Sequence, residues 1–172
     1  MRTAAVLAAL AVALMLQTTL AGMSMAGGTR VNLVLVAVVF VALSYGAVTG
    51  MLAGTVGGLA QDAIAGGIVG IGSLSKTIVG FLVGVLGAQF IVSTPVPRFL
   101  MFVGASFVNE VCYQAISALV ESRGFRMQYS AAVVQAFVNG AIGIVAFLLV
   151  ERGPEMFQRG NWRRSGASRR RY

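Results

Sequence analysis

Long apolar stretches separated by short polar breaks run from residue 3 to about residue 150, and charged side chains stand almost only at the breaks. Twenty-seven uncharged residues separate Arg2 from Arg30, dominated by Ala, Leu, Val and Met over 3–20. That is enough for a first membrane-crossing helix, since about 20 residues at about 1.5 Å each cross a hydrocarbon core of about 30 Å. A cleavable signal peptide competes for the same segment, because Met1-Arg2 forms a small basic start and Thr19-Leu20-Ala21 loosely resembles a cleavage site. The apolar run exceeds the usual signal length of about 7 to 15 residues, and Gln17 and Thr18 fall where a retained helix would use them in packing.

Residues 31–61 carry no charge. As one helix they would extend about 46 Å, more than a bilayer needs even with tilt, so the run should break. Ser44-Tyr45-Gly46 and Thr49-Gly50 offer the turn, giving a second helix over about 31–48 and a third over about 50–64, ended by Ala65-Gly66-Gly67. A fourth helix is expected over about 73–92, stopped by Pro95 and Pro97. A fifth should run from Arg98 to about Val120, and a sixth from about Tyr129 to Val150 after the polar turn 121–126. The expected architecture is an all-α polytopic membrane protein, a bundle of about six transmembrane helices over 1–150.

Composition narrows the chemistry. The 172 residues are 58% hydrophobic and 10% charged, too apolar for a soluble core of this size. There is no histidine, a single cysteine (Cys112) and a single aspartate (Asp62), so imidazole catalysis, thiolate metal clusters and paired-aspartate proteolysis are all excluded. No enzyme, cofactor or metal is expected.

Charge adds orientation. Residues 151–172 hold seven arginines and two glutamates, with Gly153-Pro154 as an expected helix stop, and so predict a disordered basic tail. Beside a spanning helix such a run fits anionic lipid better than nucleic acid, at about 1 kcal/mol per basic residue. With both termini cytoplasmic, Arg2, Arg98 and the tail lie inside and Arg30, Arg123 and Arg126 outside, as the positive-inside rule requires. Six spans fit that parity, and five after signal cleavage would leave the tail on the same side.

Glycine spacing is the next signal. Eleven of the 22 glycines lie within 50–87, and Gly50, Gly54 and Gly58, then Gly66 and Gly70, then Gly80 and Gly84 recur every fourth residue. On a helix that spacing makes one small-residue face, which lets a second backbone approach closely. Asp62 and Lys76 flank the turn between these helices, where a salt bridge across the hairpin, or snorkelling, would relieve their cost in the bilayer. In the fifth helix Ser106, Glu110, Tyr113, Gln114 and Ser117 recur at helical spacing, and the sixth carries Gln135 and Asn139 four apart. These two polar faces are expected to meet and fix register.

The hairpin also carries a resemblance. Gly58-Leu59-Ala60-Gln61-Asp62, a small-residue turn, and the run from Leu74 through Lys76 and Gly80-Phe81 to Gly84 follow one another as Gly-Leu-x-x-Asp and Leu-x-Lys-x-x-x-Gly-Tyr/Phe-x-x-Gly. This resembles the signature hairpin of the MreD family of rod-shape-determining membrane proteins, with Asp62, Lys76, Gly80 and Gly84 at the matching positions. Leu16-Gln17 late in the first helix and an apolar second helix entered from Asn32 agree with it, while the fifth and sixth helices match in length and hydrophobicity.

The resemblance implies a non-enzymatic bacterial inner-membrane scaffold of the cell-elongation machinery. Its implied partners are MreC and, through it, MreB, RodA and a class B penicillin-binding protein, in the service of lateral peptidoglycan synthesis. It further implies a bundle like the six-helix substrate-binding components of vitamin importers. A rival reading makes Glu110, with Asn109, Gln114, Gln135 and Asn139, the lining of a small-molecule or proton-coupled transport site, and a third makes the chain a small channel-forming or stress protein. A chain of 172 residues leaves little room for the internal repeats many transporters use, which favours the scaffold.

Overall fold

The computed structural model describes residues 2–20, 31–66, 68–90, 95–121 and 129–165. These form six helices and no strand: α1 (Arg2–Leu20), α2 (Leu33–Tyr45), α3 (Ala47–Ala65), α4 (Ile71–Gln89), α5 (Pro95–Val120) and α6 (Tyr129–Ser165). The chain is an all-α polytopic membrane bundle. Three helices, Ile71–Gln89, Val96–Val120 and Ala132–Val150, are long and apolar enough to cross a membrane, and Thr3–Thr19 and Leu33–Tyr45 are shorter apolar helices.

α2 is the hub. It is built almost wholly from Val, Leu, Ala and Phe, and such a helix, apolar all round, belongs inside a bundle. It touches all five other helices. On one side Leu35, Val36, Val39 and Ala42 pack with Val79 and Val83 of α4 and Phe102 and Ala105 of α5. On the other, Val38 and Val41 pack with Val6 and Leu10 of α1 and Ala53 of α3. Phe40 meets Phe147 of α6 edge to face at 5.3 Å, and the Arg98 guanidinium lies 3.9 Å over the same Phe147 ring.

The long uncharged run breaks at Gly46, the first of the two expected turn sites, and a single residue joins α2 to α3. Its φ of +88° is open to glycine and strained for side-chain-bearing residues, while its N–H still closes the last turn of α2 on the Ala42 carbonyl at 2.9 Å. Thr49-Gly50, the alternative, lies inside α3.

Several boundaries differ from expectation: α2 ends at Tyr45 and not at about 48, and α3 starts at Ala47 and not at about 50, because the chain turns at Gly46. α5 begins at Pro95, three residues before Arg98, because first-turn N–H groups have no partner within a helix and proline there forfeits nothing. α4 ends at Gln89, and residues 91–94, where its expected end at 92 falls, lie outside the described set. The expected stop at Gly153-Pro154 does not end α6, whose backbone continues to Ser165. Proline there removes one hydrogen bond, and a helix already more than twenty residues long can continue past it. The tail is thus helical over 151–165. Residues 166–172, the 122–126 turn and the signal-cleavage position after Ala21 lie outside the described residues.

Candidate functional site

α3 and α4 run antiparallel with their backbones in contact along one seam. A methyl group placed on Gly50 would stand 2.6 Å from the Gly80 carbonyl oxygen and 2.5 Å from the Ala42 side chain. On Gly54 it would run into the Lys76 carbonyl, on Gly58 into the Ser73 Cα, on Gly80 into the Gly50 carbonyl, and on Gly84 into the Ala47 backbone. Five of the seven glycines picked out by spacing therefore lie on this seam. Gly66 and Gly70 instead flank the turn, with positive φ and open space where a side chain would be.

Hydroxyls lace the seam. The Thr55 and Thr77 hydroxyl oxygens lie 2.9 Å apart, Ser73 Oγ donates across to the Thr55 carbonyl at 3.0 Å, and Thr77 Oγ1 donates back to the Ser73 carbonyl at 2.8 Å. Sequence reading missed these residues. Their signal was position, since Thr55, Ser73 and Thr77 each adjoin the glycines or the contacts the glycines make.

Asp62 and Lys76 do not form the expected ion pair. Asp62 Oδ2 accepts from the backbone N–H of Gly70 at 2.9 Å and of Ser73 at 3.1 Å, and Gly72 packs against its other oxygen. The first turn of α4 offers unpaired N–H donors and the positive end of the helix dipole, and the carboxylate serves both at once. Lys76 does not snorkel either: it is 3% exposed, and its ammonium donates to the Gly72 carbonyl at 3.4 Å. Asp62 and Glu110 are both near enough for their charges to act on it.

Among the described residues, no hydrogen bond joins the polar stripes of α5 and α6 as expected. The bonds they do make run within α5 or to other elements. Ser75 Oγ of α4 donates to Asn109 Oδ1 at 3.2 Å, and Gln114 Nε2 donates to Glu110 Oε1 at 3.0 Å, one turn apart on α5. Asn139 Oδ1 accepts from the backbone N–H of Asn32 at 3.1 Å. Gln135 stands one turn away on the Asn139 face, half-buried. The reason lies in α2, whose N-terminal N–H groups are buried and demand acceptors: Gln17 Oε1 takes Val34 N–H at 3.1 Å and Asn32 Oδ1 takes Leu35 N–H at 3.0 Å.

These features define a class, a polytopic membrane bundle closed by a glycine seam and cross-linked by buried polar caps. The model of one family, rod shape-determining protein MreD, matches residues 1–152, and the chain belongs to the MreD family. Neither a curated protein nor a solved structure matches the chain. Family membership makes it a membrane component of rod-shape determination, in a family of structural components and not of known enzymes.

Proposed function

We propose that the protein is a non-enzymatic inner-membrane scaffold of the cell-elongation machinery. It binds MreC and, through it, connects to MreB, RodA and a class B penicillin-binding protein, helping to organise peptidoglycan synthesis along the lateral wall. The observation that carries this reading is the α3–α4 seam, where backbones meet at Gly50, Gly54, Gly58, Gly80 and Gly84 and leave no freedom for the two helices to slide apart. A stiff hairpin suits a part that holds others in place better than one that must open and close with a cargo.

In this reading both termini are cytoplasmic, six spans cross the membrane, and the arginines of 151–172 rest on anionic lipid. The test is recovery of MreC with the intact protein in mild detergent, comparing wild type with Gly54→Leu. Co-purification that the substitution abolishes supports the scaffold, and absence of MreC from the wild-type preparation overturns it. Topology is tested separately by labelling single cysteines placed at positions 2, 68 and 166 after Cys112→Ser. Reagent confined to the outside should reach only position 68.

A further inference from the structure

α2 is about a third shorter than a bilayer core is thick. Its 13 residues span about 20 Å, against a hydrocarbon core of about 30 Å. The shortfall is the larger at its N-terminus. Val38 lies against Gly80, at the middle of the Ile71–Gln89 span, and Leu43 lies against Gly87, so α2 and α4 run parallel. Leu33 is five residues before Val38, about 7 Å along the axis from that middle. Asn139, bonded to the Asn32 N–H, is two residues from the centre of the Ala132–Val150 span, about 3 Å along its axis. α6 extends ten residues beyond Asn139, to Tyr129, so the end of α2 lies recessed about 15 Å below the start of α6.

Two observations there point to a ligand. The first turn of α2 carries no acidic residue, and its caps, Gln17, Asn32 and Asn139, are all neutral carboxamides, so the positive end of the helix dipole meets no formal negative charge. Independently, Asn139 is fully buried at 0% exposure, and its Nδ2 has no hydrogen-bond acceptor. The orientation of that amide is set, because Oδ1 must face the Asn32 N–H, which leaves the N–H₂ group beside the same helix end as an unused donor. A buried donor left unpaired is costly, and a helix N-terminus set below the membrane surface is a recurrent place for holding a negative group.

We propose that the N-terminus of α2 with Asn139 is an oxyanion site, taking a phosphate or carboxylate oxygen supplied by an anionic lipid headgroup or by a free solute. The positive dipole and the unused N–H₂ both disfavour a cation. Gln135, one turn further along the same face of α6, stands at its approach. This site is separate from the α3–α4 seam, so it stands or falls apart from the scaffold reading.

The experiment uses the full chain in nanodiscs of phosphatidylcholine, with phosphatidylglycerol or inorganic phosphate as probes, read by native mass spectrometry and by thermal unfolding. Wild type is expected to retain phosphatidylglycerol or to be stabilised by phosphate, and which probe succeeds identifies the source. Asn139→Asp replaces the donor by a carboxylate, and Gln135→Glu puts a charge at the approach on a half-buried position that leaves the caps intact. Each should weaken binding about tenfold or more. If Asn139→Asp fails to fold, Gln135→Glu alone decides. Binding by the folded variants equal to wild type would place the lipid on the arginine-rich segment and overturn the site, as would a wild type that takes up neither probe.

Discussion

Gly50 and Gly80 face each other across two antiparallel helices so closely that a side chain on either would strike the backbone carbonyl of the other. Contacts of this kind matter in a membrane, where burial from water cannot drive helix pairing and close backbone packing must hold the pair. Gly80→Leu should therefore lower thermal stability in detergent by at least about 1–3 kcal/mol, the usual cost of overpacking, because the struck atom is backbone and has nowhere to move. Gly66→Ala is a control of a different kind, with open space but a φ of +70°, and should cost about 1 kcal/mol through strain alone. Equal losses at the two positions would refute the seam.

Asp62 is predicted to act as the cap of α4 and not as the counter-ion of Lys76. Asp62→Ala should cost about 1–2 kcal/mol, while Asp62→Asn, which keeps an acceptor oxygen, should cost less. Exchanging the charges, Asp62→Lys with Lys76→Asp, should give no recovery over the single variants. A double-mutant cycle on thermal stability or complex recovery measures this, and a large recovery would restore the ion pair.

For Phe102 and Gly143 the prediction is compensation of size. Phe102 is fully buried in the core around α2, and a methyl group on Gly143 would run into its ring. Phe102→Ala should cost about 3–5 kcal/mol. Gly143→Ala should be harmful alone and partly rescued by Phe102→Leu, as melting temperatures of the four proteins would show.

Glu110 tests the transport alternative. Its recorded partner is Gln114, one turn away on the same helix, and Glu110→Gln keeps the size and the acceptor oxygen. Hydrogen bonds in membrane helices average about 0.6 kcal/mol, so the scaffold should tolerate the change with normal growth and rod shape. Loss of shape at normal protein level and normal MreC recovery would favour proton or ligand chemistry instead.

Much of this bundle could be read from one chain. Hydrophobic runs located the helices, Gly46 was one of two candidate breaks, and four-residue spacing placed five glycines on a common face. What spacing does not carry is the neighbour across from a face. Asn139 looked like a partner for α5, yet it bonds a backbone N–H 107 positions away, because the demand came from a helix end whose depth no local pattern reveals. Asp62 was misassigned for a similar reason: opposite charges near a turn suggest a pair, while the unsatisfied N–H groups of Gly70 and Ser73 are invisible in sequence. The prolines were read as a barrier and proved to be the start of α5, since a ring that ends one helix is equally suited to open the next.

The caps of α2 also impose an order on biogenesis. Residues emerge from the ribosome in sequence, so α2 enters the membrane with Gln17 already made but long before Asn139 exists. Until α6 arrives, the Asn32 N–H lacks the acceptor it has in the finished fold, and the hub helix around which everything packs is incomplete. The expected consequence is that chains truncated before residue 139 are cleared faster by membrane proteases than the full-length chain, as pulse-chase labelling would show.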